Sequence, residues 1–190
     1  MRKIILASAS PTRKELMKRL GVPFTVVTSN YEENLNLRIS PVELVKILSR
    51  GKAETIAKRF RNAVIIGADS IFLFKGEVLG KPDSPSAARR MLRTISNSHG
   101  TAITGLTIID TKSGKQVSKV IKTEVFFRKL SSEEIGAYVR TGEPLDKAGS
   151  FAILERGVLF IKKIEGDYTN VSGLPLPTLV VEIRKFGVRV

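Results

Sequence analysis

AVIIGADSIFLF, residues 63–74, is the stretch that decides the fold. Ala63 to Ala68 form a near-continuous apolar run, the pattern of a strand buried on both faces, and Ile71 to Phe74 resume a strand pattern. Asp69 and Ser70 stand between them. An ionised carboxylate at the end of such a run costs roughly several kcal/mol unless a metal, a cation or hydrogen-bond donors compensate it. Two readings of Asp69 stay open on this ground: a metal ligand or general base, and an Asx turn that closes the strand.

On the N-terminal side, Lys3–Ala7 predicts a short buried strand, then a polar turn Ser8–Pro11 and a helix over Thr12–Leu20 that Gly21 stops. Phe24–Val27 predicts a second strand. Ser40 and Glu43 fit a capping box with Pro41 at the first helical position. The helix that follows carries Leu44, Val45, Ile47, Leu48, Ala53, Ile56 and Ala57 on its apolar side and Lys52 along its middle. On the C-terminal side, Lys75-Gly76 has hairpin chemistry and Ser84–Ile95 a helical pattern. Strands are expected over 102–109, 116–122 and 123–128, with a turn at Ser113-Gly114. A capped helix over Ser132–Thr141, strands over Gly149–Leu154 and Val158–Ile164, a loop over Gly166–Gly173 and a last segment Leu179–Phe186 complete the chain. Strands and helices mix without a repeat, which predicts an α/β fold.

A chain of 190 residues supports one core of ordinary size, so a single domain over 1–190, bilobal at most, is expected. Apolar residues at 42% and charged residues at 26% describe a packed protein rather than a disordered one. The absence of cysteine excludes disulfides, thiolate metal sites and a cysteine nucleophile, and the single histidine, His99, excludes a multi-histidine zinc site. Any metal must then be hard and oxygen-liganded. His99 sits in a polar turn sequence and is read as a turn residue, not a catalyst. Apolar stretches are too short for a signal peptide or a membrane span, so a cytoplasmic location without a membrane partner is expected. The formal net charge of +14 attracts polyanions or phosphorylated small molecules, and equally describes a solvated basic surface.

Five segments carry chemistry. Ser8, Ser10, Arg13 and Lys14 lie at a strand-to-helix turn, where hydroxyls, amides and two cations make a phosphate cradle, or where Ser10 is an ordinary N-cap beside solvated basic groups. Asp69 is the second. The third, Glu32-Glu33, offers another carboxylate for Mg²⁺ or Mn²⁺, or a solvated acid pair. The fourth comprises Lys52 and Lys81, point charges suited to a polyphosphate, with Pro82 stiffening the backbone after Lys81. The fifth is Gly142–Phe151 together with Gly166–Leu176, ordered loops that border a base and sugar pocket or only fix the fold.

LASASPTRKEL (6–16), GADS (67–70), GEVLGKP (76–82), GEPLDKAGSF (142–151) and GDYTNVSGLPL (166–176) resemble, in order and spacing, the Maf family of septum-formation-related nucleotide pyrophosphatases. The resemblance implies an elongated two-lobed fold like that of inosine triphosphate pyrophosphatases, with a central mixed β-sheet, and hydrolysis of a nucleoside triphosphate to monophosphate and pyrophosphate with a divalent cation (Mg, Mn or Co). It implies Asp69 and Glu33 as the catalytic and metal-binding carboxylates. Ser8, Arg13, Lys52 and Lys81 would surround the triphosphate, with Ser10 and Lys14 beside them. Thr12, Ser70 and Leu154 depart from the family's usual arginine, threonine and glutamine at positions tied to base choice. GEPLDKAGSF and GDYTNV look like the branch that hydrolyses dTTP and UTP. The family admits a homodimer. A non-catalytic, basic nucleic-acid-binding protein is the alternative, disfavoured because 3 Tyr and no Trp leave base stacking mainly to 9 Phe.

Overall fold

The computed structural model describes residues 2–32 and 39–190. In chain order its elements are β1 (Lys3–Ala7), α1 (Pro11–Lys18), β2 (Thr25–Val26), α2 (Pro41–Ala57), β3 (Ala63–Phe74), β4 (Glu77–Leu79), α3 (Pro85–Ile95), β5 (His99–Asp110), β6 (Gln116–Phe127) and α4 (Ser132–Arg140). Three 3₁₀ turns follow at Glu143–Asp146, Ala148–Ser150 and Arg156–Phe160, then β7 (Ile161–Glu165), α5 (Tyr168–Val171) and α6 (Leu176–Arg184). Serine chemistry starts four of the helices. Ser10, Ser40, Ser84 and Ser131 each accept the amide hydrogen of the third helical residue, and Pro11, Pro41 and Pro85 follow three of them. The anticipated capping box of Ser40 with Glu43 forms reciprocally, and so does one of Ser131 with Glu134.

Among the described residues the strands build one mixed sheet in the order β2-β1-β3-β5-β6-β7, with β4 on β3. β1 is parallel to β2, through Ile5 opposite Thr25, and to β3, from Lys3 opposite Ala63 to Ala7 opposite Gly67. β4 folds back antiparallel to β3 through Lys75 and Gly76, both at positive φ, as a tight hairpin requires. The chain forms two compact units: Met1–Ser70, Thr104–Ile121 and Gly173–Val190 make the first, Ile71–Ile103 and Lys122–Ser172 the second.

In the first unit α2 lies on the sheet, its Ala53 and Ile56 packed with Ile5, Ala7, Ala63, Ile65 and Ile109. Two glycines set how close it comes. A Cβ on Gly67 would meet the Ser49 carbonyl oxygen at 2.4 Å, and one on Gly105 would meet that of Val45 at 2.1 Å. Helix backbone therefore rests directly on strand backbone, which holds Lys52 over β3. In the second unit the core centres on Phe72, Phe127 and Phe151, edge to face with centroids 5.0–5.9 Å apart, each pair worth about 0.5–1.5 kcal/mol beyond burial.

The structure corrects several sequence expectations. Asp69 and Ser70 do not close a strand; β3 runs on to Phe74, so the Asx-turn reading of Asp69 fails. β6 is one strand rather than two. Gly149–Leu154 is not a strand, because Gly149 (φ 71) and Ser150 (φ 63) are both left-handed and leave the β region. β7 starts at Ile161, three residues later than expected, after a 3₁₀ turn. The expected loop after Gly166 contains the one-turn helix α5, capped by Asp167, and α6 begins at Leu176 instead of Leu179.

Candidate functional site

Asp69 sits in the middle of β3 and is 7% exposed. Its carboxylate is paired with the ammonium of Lys52, reaching down from α2, and both side chains are largely buried. The pair compensates two charges whose separate burial would be prohibitive; removing one partner of such a pair typically costs about 3–5 kcal/mol. Gly67, two residues before Asp69, also faces α2, as the period-two alternation of a strand demands.

Ser70 points to the opposite face by the same alternation. There its hydroxyl lies 2.9 Å from Thr104 Oγ1 and receives a hydrogen bond from Arg13 Nη2 at 3.0 Å. Arg13 Nε donates to the Gly173 carbonyl at 2.8 Å and Nη1 to Ser8 Oγ at 3.4 Å. Ser8 Oγ also receives the Ser10 amide, and Ser10 Oγ the Arg13 amide. Ser10 is the N-cap of α1, and Arg13 is no solvated surface cation: its planar fork ties the turn after β1 to β3 and to the chain at Gly173. Gly173 (φ +90) permits this, since a Cβ there would stand 3.2 Å from Ser70 Oγ and 3.3 Å from Arg13 Nε.

Two groups of expected residues therefore come together within the first unit: Lys52 with Asp69, and Ser8, Ser10 and Arg13 with Ser70. They are joined through the peptide between Asp69 and Ser70. Thr12 is half-buried and Lys14 exposed on the same helix start. Glu33 lies outside the described residues, although Tyr31, two residues earlier, places its ring against Gly51, next to Lys52. Lys81 (exposed) and Leu154 (half-buried) belong to the second unit. There the carbonyl of Gly80 receives the Gly149 amide, linking the Gly80-Lys81-Pro82 turn to the AGS turn. His99 is not in a turn; it opens β5, its ring stacked on Phe126.

Two participants escaped sequence reasoning. Thr104 reads as a polar interruption of an apolar strand, and Gly173 contributes through its carbonyl rather than a side chain. In the second unit Glu143, inside a motif quoted for its glycines and prolines, anchors its own loop. Its Oε1 accepts Tyr138 OH (2.8 Å) and the Gly157 amide (3.0 Å), its Oε2 the Arg156 amide (3.2 Å), while Tyr138 OH also receives the Ala152 amide. Burial first, and then the Glu143 carboxylate, push the Tyr138 phenol upward and keep it a donor.

A family model described as Maf-like protein matches residues 3–186. The chain belongs to the Maf family. A protein of Methanosarcina barkeri named dTTP/UTP pyrophosphatase is 50% identical to this Maf chain over all of its length and 97% of the relative's. A protein of Moorella thermoacetica with the same name is 45% identical, over the whole chain and 98% of the relative. Among solved structures, the Ham1 protein of Staphylococcus aureus overlaps 69% of this Maf chain, and 73% of its own, with a TM-score of 0.44 and 20% identity. No helix among the described residues of the Maf chain is long and apolar enough to cross a membrane.

Proposed function

We propose that this Maf protein is a nucleoside triphosphate pyrophosphatase, cleaving between the α and β phosphates of pyrimidine nucleotides of the dTTP/UTP type. Membership of the family and full-length relatives named for that activity support the reaction class. The observation that carries it to residues is the buried Asp69–Lys52 pair in mid-strand, an expensive arrangement for a purely structural purpose.

In this reading a water attacks the α phosphorus, the bond from that phosphorus to the αβ-bridging oxygen breaks, and pyrophosphate leaves. Asp69 accepts the water's proton. Lys52 pairs with that carboxylate until a triphosphate enters and then shares its charge with the phosphates. Ser8, Ser10 and Lys14 hold phosphate oxygens, and Arg13 braces the turn that carries them. Lys81 as a further phosphate ligand and Glu33 as a second carboxylate enter through their motif positions alone, as do Thr12, Ser70 and Leu154 as determinants of base choice.

Among the described residues no three His, Cys, Asp or Glu side chains converge into a closed metal cage. A single buried carboxylate nevertheless fits Mg²⁺ or Mn²⁺, which take their remaining oxygens from water and phosphates. Asp69 would hold such a cation, with Glu33 beside it. When bound, the cation would supply charge neutralisation on the phosphates and acidify the nucleophilic water.

Asp69→Asn is isosteric and keeps a hydrogen-bonding partner for Lys52. Pyrophosphate release from dTTP and UTP with Mg²⁺ should fall by about 10²–10⁴-fold in this variant, with circular dichroism unchanged. Undiminished hydrolysis by folded Asp69→Asn protein would remove the assignment.

A further inference from the structure

The net charge of +14 exceeds anything a triphosphate site needs, and the structure concentrates part of the excess elsewhere. At the start of β3, Ala63 pairs with Lys3 and exchanges hydrogen bonds with Thr111, while Lys115 Nζ donates to the Lys185 carbonyl at 2.9 Å and lies over the Phe186 ring. Lys3, Arg61, Lys112, Lys115 and Lys185 are thereby gathered at one end of the first unit, all exposed. The acids here are already spent: Asp110 is paired with Arg2, and buried Glu182 with Lys119 and Lys185. Lys3, Arg61 and Lys112 have no ion-pair partner among the described residues. Ala63 and Asp69 are six strand positions apart, so this end lies about 20 Å along β3 from the Asp69–Lys52 pair. A triphosphate held there cannot engage these cations.

We propose that this face binds nucleic acid through its phosphate backbone, without reading sequence. A cluster of exposed cations, of which Lys3, Arg61 and Lys112 have no ion-pair partner among the described residues, suits a phosphate backbone, whose condensed counterions are released on contact. A protein or membrane partner would call for apolar anchors, and none of the exposed large apolar side chains falls in 2–3, 61–62, 110–116 or 185–190. The shortage of Tyr and Trp that argues against base stacking is no obstacle, because backbone binding needs none.

The test is fluorescence anisotropy with a labelled DNA duplex and the corresponding single strand, titrated at salt concentrations from about 50 to 200 mM. Wild-type protein should bind both, with log K falling linearly in log salt. Arg61→Glu/Lys112→Glu/Lys115→Glu should weaken duplex binding at least about tenfold and lower the slope by about three. Nucleotide hydrolysis by the same samples should be unchanged. The neutral set Arg61→Ala/Lys112→Ala/Lys115→Ala, with about half that loss of affinity, serves if charge reversal prevents folding. Equal binding by wild type and variants overturns the proposal. So does displacement of the duplex by polyglutamate as readily as by unlabelled DNA, or binding to phosphatidylserine vesicles without binding to DNA.

Discussion

Ser70 and Thr104 show how much a single hydroxyl can control in this protein. Thr104 is fully buried, and its hydroxyl meets Ser70 Oγ, which in turn receives Arg13. Thr104→Val keeps the shape of the side chain and removes that contact. Ser70 would then have to satisfy itself on the Gly173 carbonyl, 3.5 Å away, and the Arg13 fork would lose its fixed end. The variant should lose about 1–3 kcal/mol of stability, the cost of an unsatisfied buried polar group. If Arg13 braces the phosphate turn, KM for dTTP should rise with little change in kcat, and Thr104→Ser should restore it. The coupling to Arg13 is measurable: Thr104→Val should cost almost nothing further in an Arg13→Ala background, whereas additive losses would show that Thr104 acts by another route. Asp69 was legible from sequence because a carboxylate in an apolar run is an anomaly. Thr104 was not, since threonine is at home in strands and its partner is 34 residues away.

At the scale of elements, the contact of α2 with the sheet decides whether Lys52 reaches Asp69. The helix itself was legible, from the Ser40/Glu43 capping box and Pro41 onward. Where it lands was not, because the landing depends on two missing methyl groups, at Gly67 and Gly105, which in sequence look like ordinary interruptions of a strand. Gly105→Ala would put a Cβ 2.1 Å from the Val45 carbonyl oxygen, an overlap that only movement of the helix backbone relieves. Destabilisation at or above about 3 kcal/mol by urea titration is expected, together with lost hydrolysis, since lifting α2 withdraws Lys52. Gly136→Ala is the control: its Cβ would meet only Arg140 Nη1, at 3.6 Å, and helix propensity makes it neutral or slightly stabilising. The loop from Gly142 to Gly157 is likewise an element with its own anchor. Replacing Glu143 by Ala strands Tyr138 OH and the amides of Arg156 and Gly157, and should cost about 1–3 kcal/mol in urea unfolding. Its expected strand at 149–154 was misread because Gly-Ser-Phe-Ala-Ile-Leu has the composition of one, while the left-handed Gly149 answers to packing against Phe72 and the left-handed Ser150 donates to Met91 Sδ.

For the molecule as a whole, 32 cations face 18 acids, and several of those acids are held ionised by close partners. Arg128 hydrogen-bonds Glu134 in a fork, the Ser131 amide adds to it, and together they lower that carboxyl from 4.5 to about 2. Burial pushes Asp110 upward, yet the Arg2 guanidinium, the Ser113 hydroxyl and nearby amides outweigh it and hold the group well below its ordinary 3.8. Glu182 is lowered chiefly by its hydrogen bond with Lys185. Depressed carboxyls fix the sign of the pH dependence. Above the ordinary carboxylate values both folded and unfolded chains are ionised, and the full stabilisation is present. As pH falls below about 4.5 the unfolded chain takes up protons that the folded chain still refuses, so stability declines, and it continues to decline until the folded groups titrate. Self-repulsion among the surplus cations steepens the loss as carboxylates disappear. Urea midpoints should therefore hold steady from pH 7 to about 5 and drop steeply toward pH 3. Asp110→Asn, which removes a group titrating below its unfolded value, should start about 1–3 kcal/mol lower at neutral pH and fall along a shallower slope, converging on wild type in acid. Two curves running parallel down to pH 3 would mean that the Arg2–Asp110 pair leaves the proton balance of folding untouched.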